Sequence, residues 1–178
     1  MRNFFLVLTV AFLATGCNNE TKKNGNIEDV QIKAAGSLPY IPDYSSSFKM
    51  GNPEYSAMIL QGSWKDWENN SLDNMKNWVA DTVVVFHSDN SIVKGADSLM
   101  ARWKRGRAKY ASVIDTIDAV IPVFSTDKNE NWVLVWAREI NTKIDGTKDT
   151  AAVMETWRIN KDGKADMLLQ YDRAKRKM

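Results

Sequence analysis

One cysteine and one histidine in a chain of 178 residues leave little material for metal or thiol chemistry. Zinc sites draw three or four ligands mainly from Cys and His, so Cys17 and His87 cannot build one, and no metal is expected. A lone cysteine also forbids an internal disulfide. The chain has no Gly-x-Ser-x-Gly elbow, no P-loop and no Gly-x-Gly-x-x-Gly turn. Acyl transfer by an activated serine, nucleotide hydrolysis and dinucleotide binding therefore have no motif behind them, and no cofactor is expected. No apolar run is long enough to cross a bilayer, because Phe4 to Leu13 is only about half of the roughly twenty residues a spanning helix needs. An excess of charge is missing too. With 24 basic and 22 acidic residues the formal charge is +2, which removes the electrostatic argument for nucleic acid.

What the chain does have is a hydrophobic fraction of 44%, with seven Trp, six Phe and five Tyr. That is the composition of a globular domain with large aromatic side chains to bury. Its N-terminus reads as an export signal: Arg2, an apolar core, then small residues before Cys17. Leu13-Ala14-Thr15-Gly16-Cys17 resembles the lipobox of bacterial lipoproteins, with Ala14 where the usual leucine stands and Leu13 one residue further back. The resemblance implies that residues 1–16 are removed and that Cys17 is lipidated, which anchors an exported protein in the bacterial cell envelope. The other reading is a plain secretory signal with an incidental thiol. Residues 17–51 are polar and turn-rich and are expected to form a flexible tether, with Leu38 to Tyr44 laid on the surface of the globular domain.

That domain is expected over residues 52–178. Asn52-Pro53-Glu54 has a helix cap followed by proline at the first helical position. Tyr55, Ile59, Trp64 and Trp67 then recur at nearly helical spacing, so one amphipathic helix is expected to about Asn69. Ser71 can cap a second from Leu72 to Trp78. Thr82 to Phe86 is a β-branched and aromatic strand signal, Asp89-Asn90 a turn, and Ile92-Val93 a short return strand. Gly95 precedes a third helix, about Ala96 to Lys109. The remainder is strand signal in long segments, Ser112–Phe124, Trp132–Ile144, Thr150–Asn160 and Lys164–Arg173, separated by turns. Consecutive long strands must twist and curl, and only the preceding helices can cover their concave face. The expected fold is α+β: a cone-shaped half-barrel with three N-terminal helices packed on a curved, mostly antiparallel sheet, and a cavity at its mouth.

Asn52-Pro53-Glu54-Tyr55, the segment Trp78 to Ser88, Lys94-Gly95-Ala96-Asp97, and Glu155-Thr156-Trp157-Arg158-Ile159 followed by Asp162-Gly163-Lys164 resemble the nuclear-transport-factor-2-like superfamily. The likeness is to its SnoaL-like, ketosteroid-isomerase-like branch, over about residues 52–173. The resemblance is specific for fold and weak for activity, since the superfamily holds isomerases, dehydratases, hydrolases, cyclases and members without catalysis.

Two residues are candidates for chemistry. His87 ends the first long strand, where the isomerases of this family carry an acidic general base, and an imidazole can do that work near neutral pH. A histidine bonded to a loop carbonyl is the structural alternative. Glu155 occupies the strand position that the resemblance assigns to a buried, protonated acid in an oxyanion hole. Alternation places Glu155 on one face with Val153, Trp157 and Ile159; its alternative is a salt bridge to Arg138 or Arg158. The tyrosine that the isomerases place on the first helix is replaced by Trp64 or a neighbour, and indole is a donor of no useful acidity.

Most of the tryptophans belong to the core, yet their number exceeds what a small core needs. Trp64, Trp67, Trp103, Trp136 and Trp157 are the candidates for lining a pocket for a small, largely apolar ligand. On the strand of Trp132, residues Trp132, Leu134, Trp136 and Arg138 share one face, and Val133, Val135 and Ala137 the other. Both faces are apolar, so one packs on the helices and the other can serve a homodimer, as the outer sheet face often does in proteins with this resemblance. Arg102, Lys104, Arg105, Arg107 and Lys109 read as a solvated helix face, with an anionic ligand or lipid headgroups as alternatives. Three functions remain open: a membrane-anchored binder of a small apolar molecule, a cofactor-free isomerase or dehydratase using His87 and Glu155, and an interaction module working through its sheet.

Overall fold

The structure, a computed structural model, describes residues 39–173. The expected export signal, Cys17 and most of the expected tether lie outside the described residues, as does the tail from 174. Among the described residues no helix is long and apolar enough to cross a membrane.

Asn52 starts the helical layer as its side chain dictates. Its Oδ1 accepts the Glu54 backbone N–H at 3.0 Å, and Pro53 holds the first helical position. Helix α1 (Pro53–Ile59) continues into a π-helical segment (Leu60–Lys65) and then the short α2 (Asp66–Glu68). The single helix expected here is thus widened in its middle. Gly62 lies in the widened segment, where an added Cβ would stand 2.4 Å from the Trp78 indole. Only a residue without a side chain lets that ring lie against the helix. Ser71 does not cap the next helical segment; its hydroxyl donates to Asp66 Oδ1 at 3.2 Å, and a 3-10 turn (Leu72–Asn74) leads into α3 (Met75–Trp78).

Strand β2 (Val79–Phe86) begins directly after α3, three residues before the first β-branched pair announces it. A turn leads to β3 (Ile92–Lys94), and Gly95, at φ +88°, allows the sharp entry into α4 (Ala96–Arg107). The long strands β4 (Tyr110–Ser125), β5 (Glu130–Lys143), β6 (Lys148–Ile159) and β7 (Ala165–Arg173) complete the chain order. One strand was hidden in the polar lead-in: β1 (Phe48–Met50) pairs with the end of β4, Met50 opposite Val123. The folded domain therefore begins before residue 52, inside the stretch that composition assigns to the tether. Tyr44 is held as well, edge-on to Trp132 with ring centroids 5.9 Å apart.

The seven strands form one open sheet in the order β1-β4-β5-β6-β7-β2-β3, antiparallel except for the β2–β7 pair. Irregular pairing at Ile117/Ala119 in β4 and Arg158/Ile159 in β6 helps the sheet to curl. This is the expected α+β cone, a curved unclosed sheet with N-terminal helices. The concave side carries Val133, Val135 and Ala137 of β5, Trp157 and Ile159 of β6 and Leu168 of β7. These pack on Ile59, Leu72, Met75 and Trp78 from the helices and on Leu99 and Trp103 of α4. The convex side carries Trp136, Met154 and Tyr171, which lie in register across β5, β6 and β7. Trp136 and Met154 are half-buried, and Tyr171 and Phe86 are exposed.

Gly62→Ala tests the tight contact. The helix-propensity gain of about 1 kcal/mol is outweighed by overpacking against an indole, which costs about 1–3 kcal/mol or more. Urea unfolding should show a net loss of stability, and a midpoint at or above that of the wild type would mean that Trp78 does not need a bare backbone at Gly62.

Candidate functional site

A cavity of about 630 Å³ opens between α4 and the concave sheet. Indoles of Trp64, Trp67 and Trp103 form its helical wall, and Ala151 and Val153 part of its sheet wall. Its polar groups include Ser63, His87, Glu139, Asn141, Glu155 and Gln170, with Arg102, Arg105 and Lys109 at the α4 side and the carboxyls of Asp89, Asp149 and Asp172 also on its wall. The lining is mixed, not largely apolar, because β5 and β6 put carboxyl and amide side chains inward beyond the last apolar pair. Two of the expected pocket residues lie elsewhere. Trp136 is on the convex face, since Val135 and Ala137 on either side of it point into the core. Trp157 is completely buried behind the cavity floor, edge-on to Trp78 at 5.4 Å and to Trp103 at 6.2 Å.

Glu155 sits on that floor, opposite Val135 of β5, and is 4% exposed. Three donors converge on it. Trp157 Nε1 donates to Oε2 at 2.9 Å, Ser63 Oγ donates to Oε2 at 3.2 Å, and Gln170 Nε2 donates to Oε1 at 3.2 Å. Burial pushes its pKa up to about 7 against the opposing pull of those three bonds, and the nearby Glu139 charge adds to the rise. Neither arginine offered by the sequence reaches it. Arg138 forks onto Asp118 at 2.9–3.2 Å, and Arg158 bonds Asp166 at 2.8 Å.

His87 is 9% exposed and lines the same cavity. Its Nδ1 lies 3.0 Å from Gln170 Oε1, while Nε2 is shielded from solvent and has no hydrogen-bond partner. Burial, foremost, and Arg102 lower its pKa, so the ring is neutral around pH 7. Its backbone, not its ring, serves the loop: the His87 N–H bonds the Ser91 carbonyl at 3.0 Å. His87 and Glu155 are thus joined through one amide, Gln170. Ser63 and Gln170 had no signature in the sequence, since a serine on a helix and a glutamine in a strand are ordinary residues; only the register of β7 on β6, Gln170 opposite Glu155, exposes the second.

The basic run on α4 divides by function. Arg107 is buried and donates to three carbonyls, Trp67 O at 2.8 Å, Tyr110 O at 2.9 Å and Glu68 O at 3.1 Å, fastening α4 to α2. Arg102 pairs with Asp89 at 2.8 Å and Lys104 with Asp73. Arg102, in that pair, lines the cavity together with Arg105 and Lys109. Among the described residues no group of three or more His, Cys, Asp and Glu is placed to hold a metal ion.

A second, shallower cavity of about 360 Å³ lies between the π-helical segment and β4, shared by Trp64, Lys65, Asp115 and Ile117. Both Asp115 carboxylate oxygens are shielded from solvent without a partner, and burial together with the charges of Glu139, Glu68 and Glu155 raises its pKa to about 7.

The architecture is that of nuclear-transport-factor-2-like proteins. A protein assigned as a SnoaL-like polyketide cyclase, from Shewanella denitrificans OS-217, superposes with a TM-score of 0.56 over 68% of this chain and 92% of its own, at 10% identity. A nuclear-transport-factor-2-like protein of unknown function from Exiguobacterium sp. 255-15 gives 0.55 over 66% and 99%, at 13% identity. An epoxide hydrolase of the LEH-like type from M. tuberculosis gives 0.53 over 67% and 84%, at 12% identity. No family model and no curated protein matches the sequence. Likeness at this level of identity carries the fold and not the chemistry.

The Asp115 carboxyl makes a pH-dependent prediction. Its folded pKa of about 7 lies above the ordinary value of 3.8, so the folded state holds its proton more tightly than the unfolded one. Its contribution is most favourable below about pH 4 and is lost as pH rises through about 7. Asp115→Asn, which cannot ionise, should gain on the wild type in urea unfolding as pH is raised across that window. A stability difference independent of pH would show that this carboxyl is not held neutral.

Proposed function

We propose that this chain is an exported bacterial lipoprotein, anchored in the membrane through lipidated Cys17, whose cone binds a small molecule with a flat apolar body and a polar end. The observation that carries the reading is the cavity. Its volume of about 630 Å³ falls in the range of small-molecule sites, with three indoles on one wall for stacking and buried polar groups on its floor for orientation. The largely apolar ligand suggested by the tryptophan content is accordingly amended to one with hydrogen-bonding groups at the end that meets the sheet. The lipobox-like segment supports the anchor, and the apolar row Trp136–Met154–Tyr171 on the convex face supports a homodimer through the sheet.

One experiment reads all three features. Native mass spectrometry of the protein, released in detergent from its own host, should show lipid mass on Cys17, a second copy, and a retained small molecule. Cys17→Ser should remove the first, Trp136→Glu the second, and Ala151→Phe, which fills the cavity, the third. A wild-type protein that carries no small molecule under conditions preserving the dimer would sink the binding reading.

The free Nε2 of His87 favours a second reading, a cofactor-free isomerase or dehydratase in which His87 removes a proton from the bound molecule. A neutral imidazole with one nitrogen already committed is a suitable general base. In heavy water, the wild type should exchange deuterium into the molecule it retains and His87→Ala should not. Equal exchange by both proteins would leave the domain a binder only.

A further inference from the structure

The three side chains of the row His87–Gln170–Glu155 have a directional logic that neither end has alone. We infer that Gln170 is a positioning residue: it translates the charge of Glu155 into the choice of which His87 nitrogen carries the proton. The inference rests on the reading of His87 as a base.

An amide has one face that donates and one that accepts, so it cannot serve both neighbours arbitrarily. Ionised Glu155 only accepts. Gln170 must then turn its NH₂ toward Glu155 Oε1, as it does at 3.2 Å, which leaves its carbonyl facing His87 Nδ1 at 3.0 Å. A carbonyl accepts only, so the ring must hold its proton on Nδ1, and Nε2 keeps a lone pair. When Glu155 takes up a proton, the position of that proton is decided by the other two donors. Trp157 and Ser63 both donate to Oε2, so the carboxyl proton goes to Oε1 and faces Gln170. The amide must then rotate to present its carbonyl to Glu155 and its NH₂ to Nδ1. The ring moves its proton to Nε2, which becomes a donor. No net charge appears on His87 in the exchange; one proton enters at Glu155, and two bonds reverse direction.

The surroundings make this pair a suitable place for such a device. Glu155 lies in the low-dielectric floor, with the Glu139 charge opposing its ionisation and the Ser63 and Trp157 bonds favouring it. His87 is faced by Arg102, which disfavours the imidazolium, and by Asp89, which favours it. Arg102 and Asp89 are paired with each other at 2.8 Å, so their opposing influences largely cancel. Burial then keeps the imidazole neutral while Glu155 titrates. Glu155 thus reaches His87 only through Gln170, and acts on it through that amide.

Because His87 is the only histidine, every imidazole nitrogen signal of the tag-free protein is its own. Long-range ¹H–¹⁵N NMR of the processed, ¹⁵N-labelled full chain in detergent micelles reads its tautomer directly, without ligand or turnover. At about pH 8 the wild type should favour Nδ1–H over Nε2–H by about tenfold, the preference that one hydrogen bond supports. Lowering the pH through about 7, where Glu155 protonates, should move the population toward Nε2–H before imidazolium appears.

Glu155→Gln keeps the shape of the side chain. Trp157 and Ser63 hold the new carbonyl, so its NH₂ faces Gln170, and the variant should show Nε2–H at every pH where the ring is neutral. Gln170→Leu removes the relay and should also lose the Nδ1–H preference. Nε2–H in the wild type at about pH 8, or an unchanged tautomer in either variant, would overturn the inference. If it survives while no molecule is retained or exchanged, it is the functional reading that has failed.

Discussion

The indole of Trp157 is buried completely, and the concave side of the sheet is arranged around it. Its ring packs edge-on between Trp78 and Trp103, which ties β6 to α3 and α4. Its N–H points the other way along the strand face and holds Glu155 Oε2 at 2.9 Å. Two side chains of one strand, two residues apart on the same face, thus carry the core and the cavity floor. A buried carboxylate is tolerable only where donors reach it. The indole supplies one, and Ser63 and Gln170 close the set from the helix and the neighbouring strand. Trp78, pressed by Trp157 on one side, leaves no room on its other side for anything but Gly62. Packing at the centre therefore bears on the π-helical segment that carries both Gly62 and Ser63.

Strand signals made most of this legible in the sequence. Period-two alternation correctly grouped Glu155 with Val153, Trp157 and Ile159, and the cap at Asn52-Pro53 is where the helix begins. What alternation could not say was which face of β5 meets the helices, because Trp132-Leu134-Trp136 and Val133-Val135-Ala137 are both apolar. The structure resolves this by volume. The space under the helices is already filled by Trp157, Trp103 and Trp78, and β5 answers with the small side chains Val133, Val135 and Ala137, sending Trp136 outward. Counting tryptophans toward a pocket failed there for the same reason.

Other features lay beyond local pattern. The strand Phe48–Met50 has only three residues, and its pairing partner Val123–Ser125 is about seventy-five residues away in the chain, so no window of sequence contains both. Gly62, inside the π-helical segment, meets Trp78 of a different helix. Gln170 is important because it faces Glu155 across a strand pair fifteen residues apart. These are tertiary facts with neutral local spelling, and the residue types involved, Gly, Ser and Gln, carry no mechanism until their neighbours are known.

The relation between fold and chemistry turns on the direction of hydrogen bonds. Resemblance offered Glu155 as an acid that donates to an oxyanion, and its burial and raised pKa agree with a carboxyl that can be neutral. Its neighbours do not agree. A group that donates to a ligand needs its proton directed at the cavity, whereas here Oε2 is taken by two donors and Oε1 faces an amide. At this strand position both carboxylate oxygens are committed to neighbouring side chains. An apolar side chain at Gln170 would leave Oε1 without its partner and His87 without its link. The cone keeps its shape at 10–13% identity to its structural relatives, so shape alone does not fix which donors and acceptors line its floor, and the site has to be read from its own side chains.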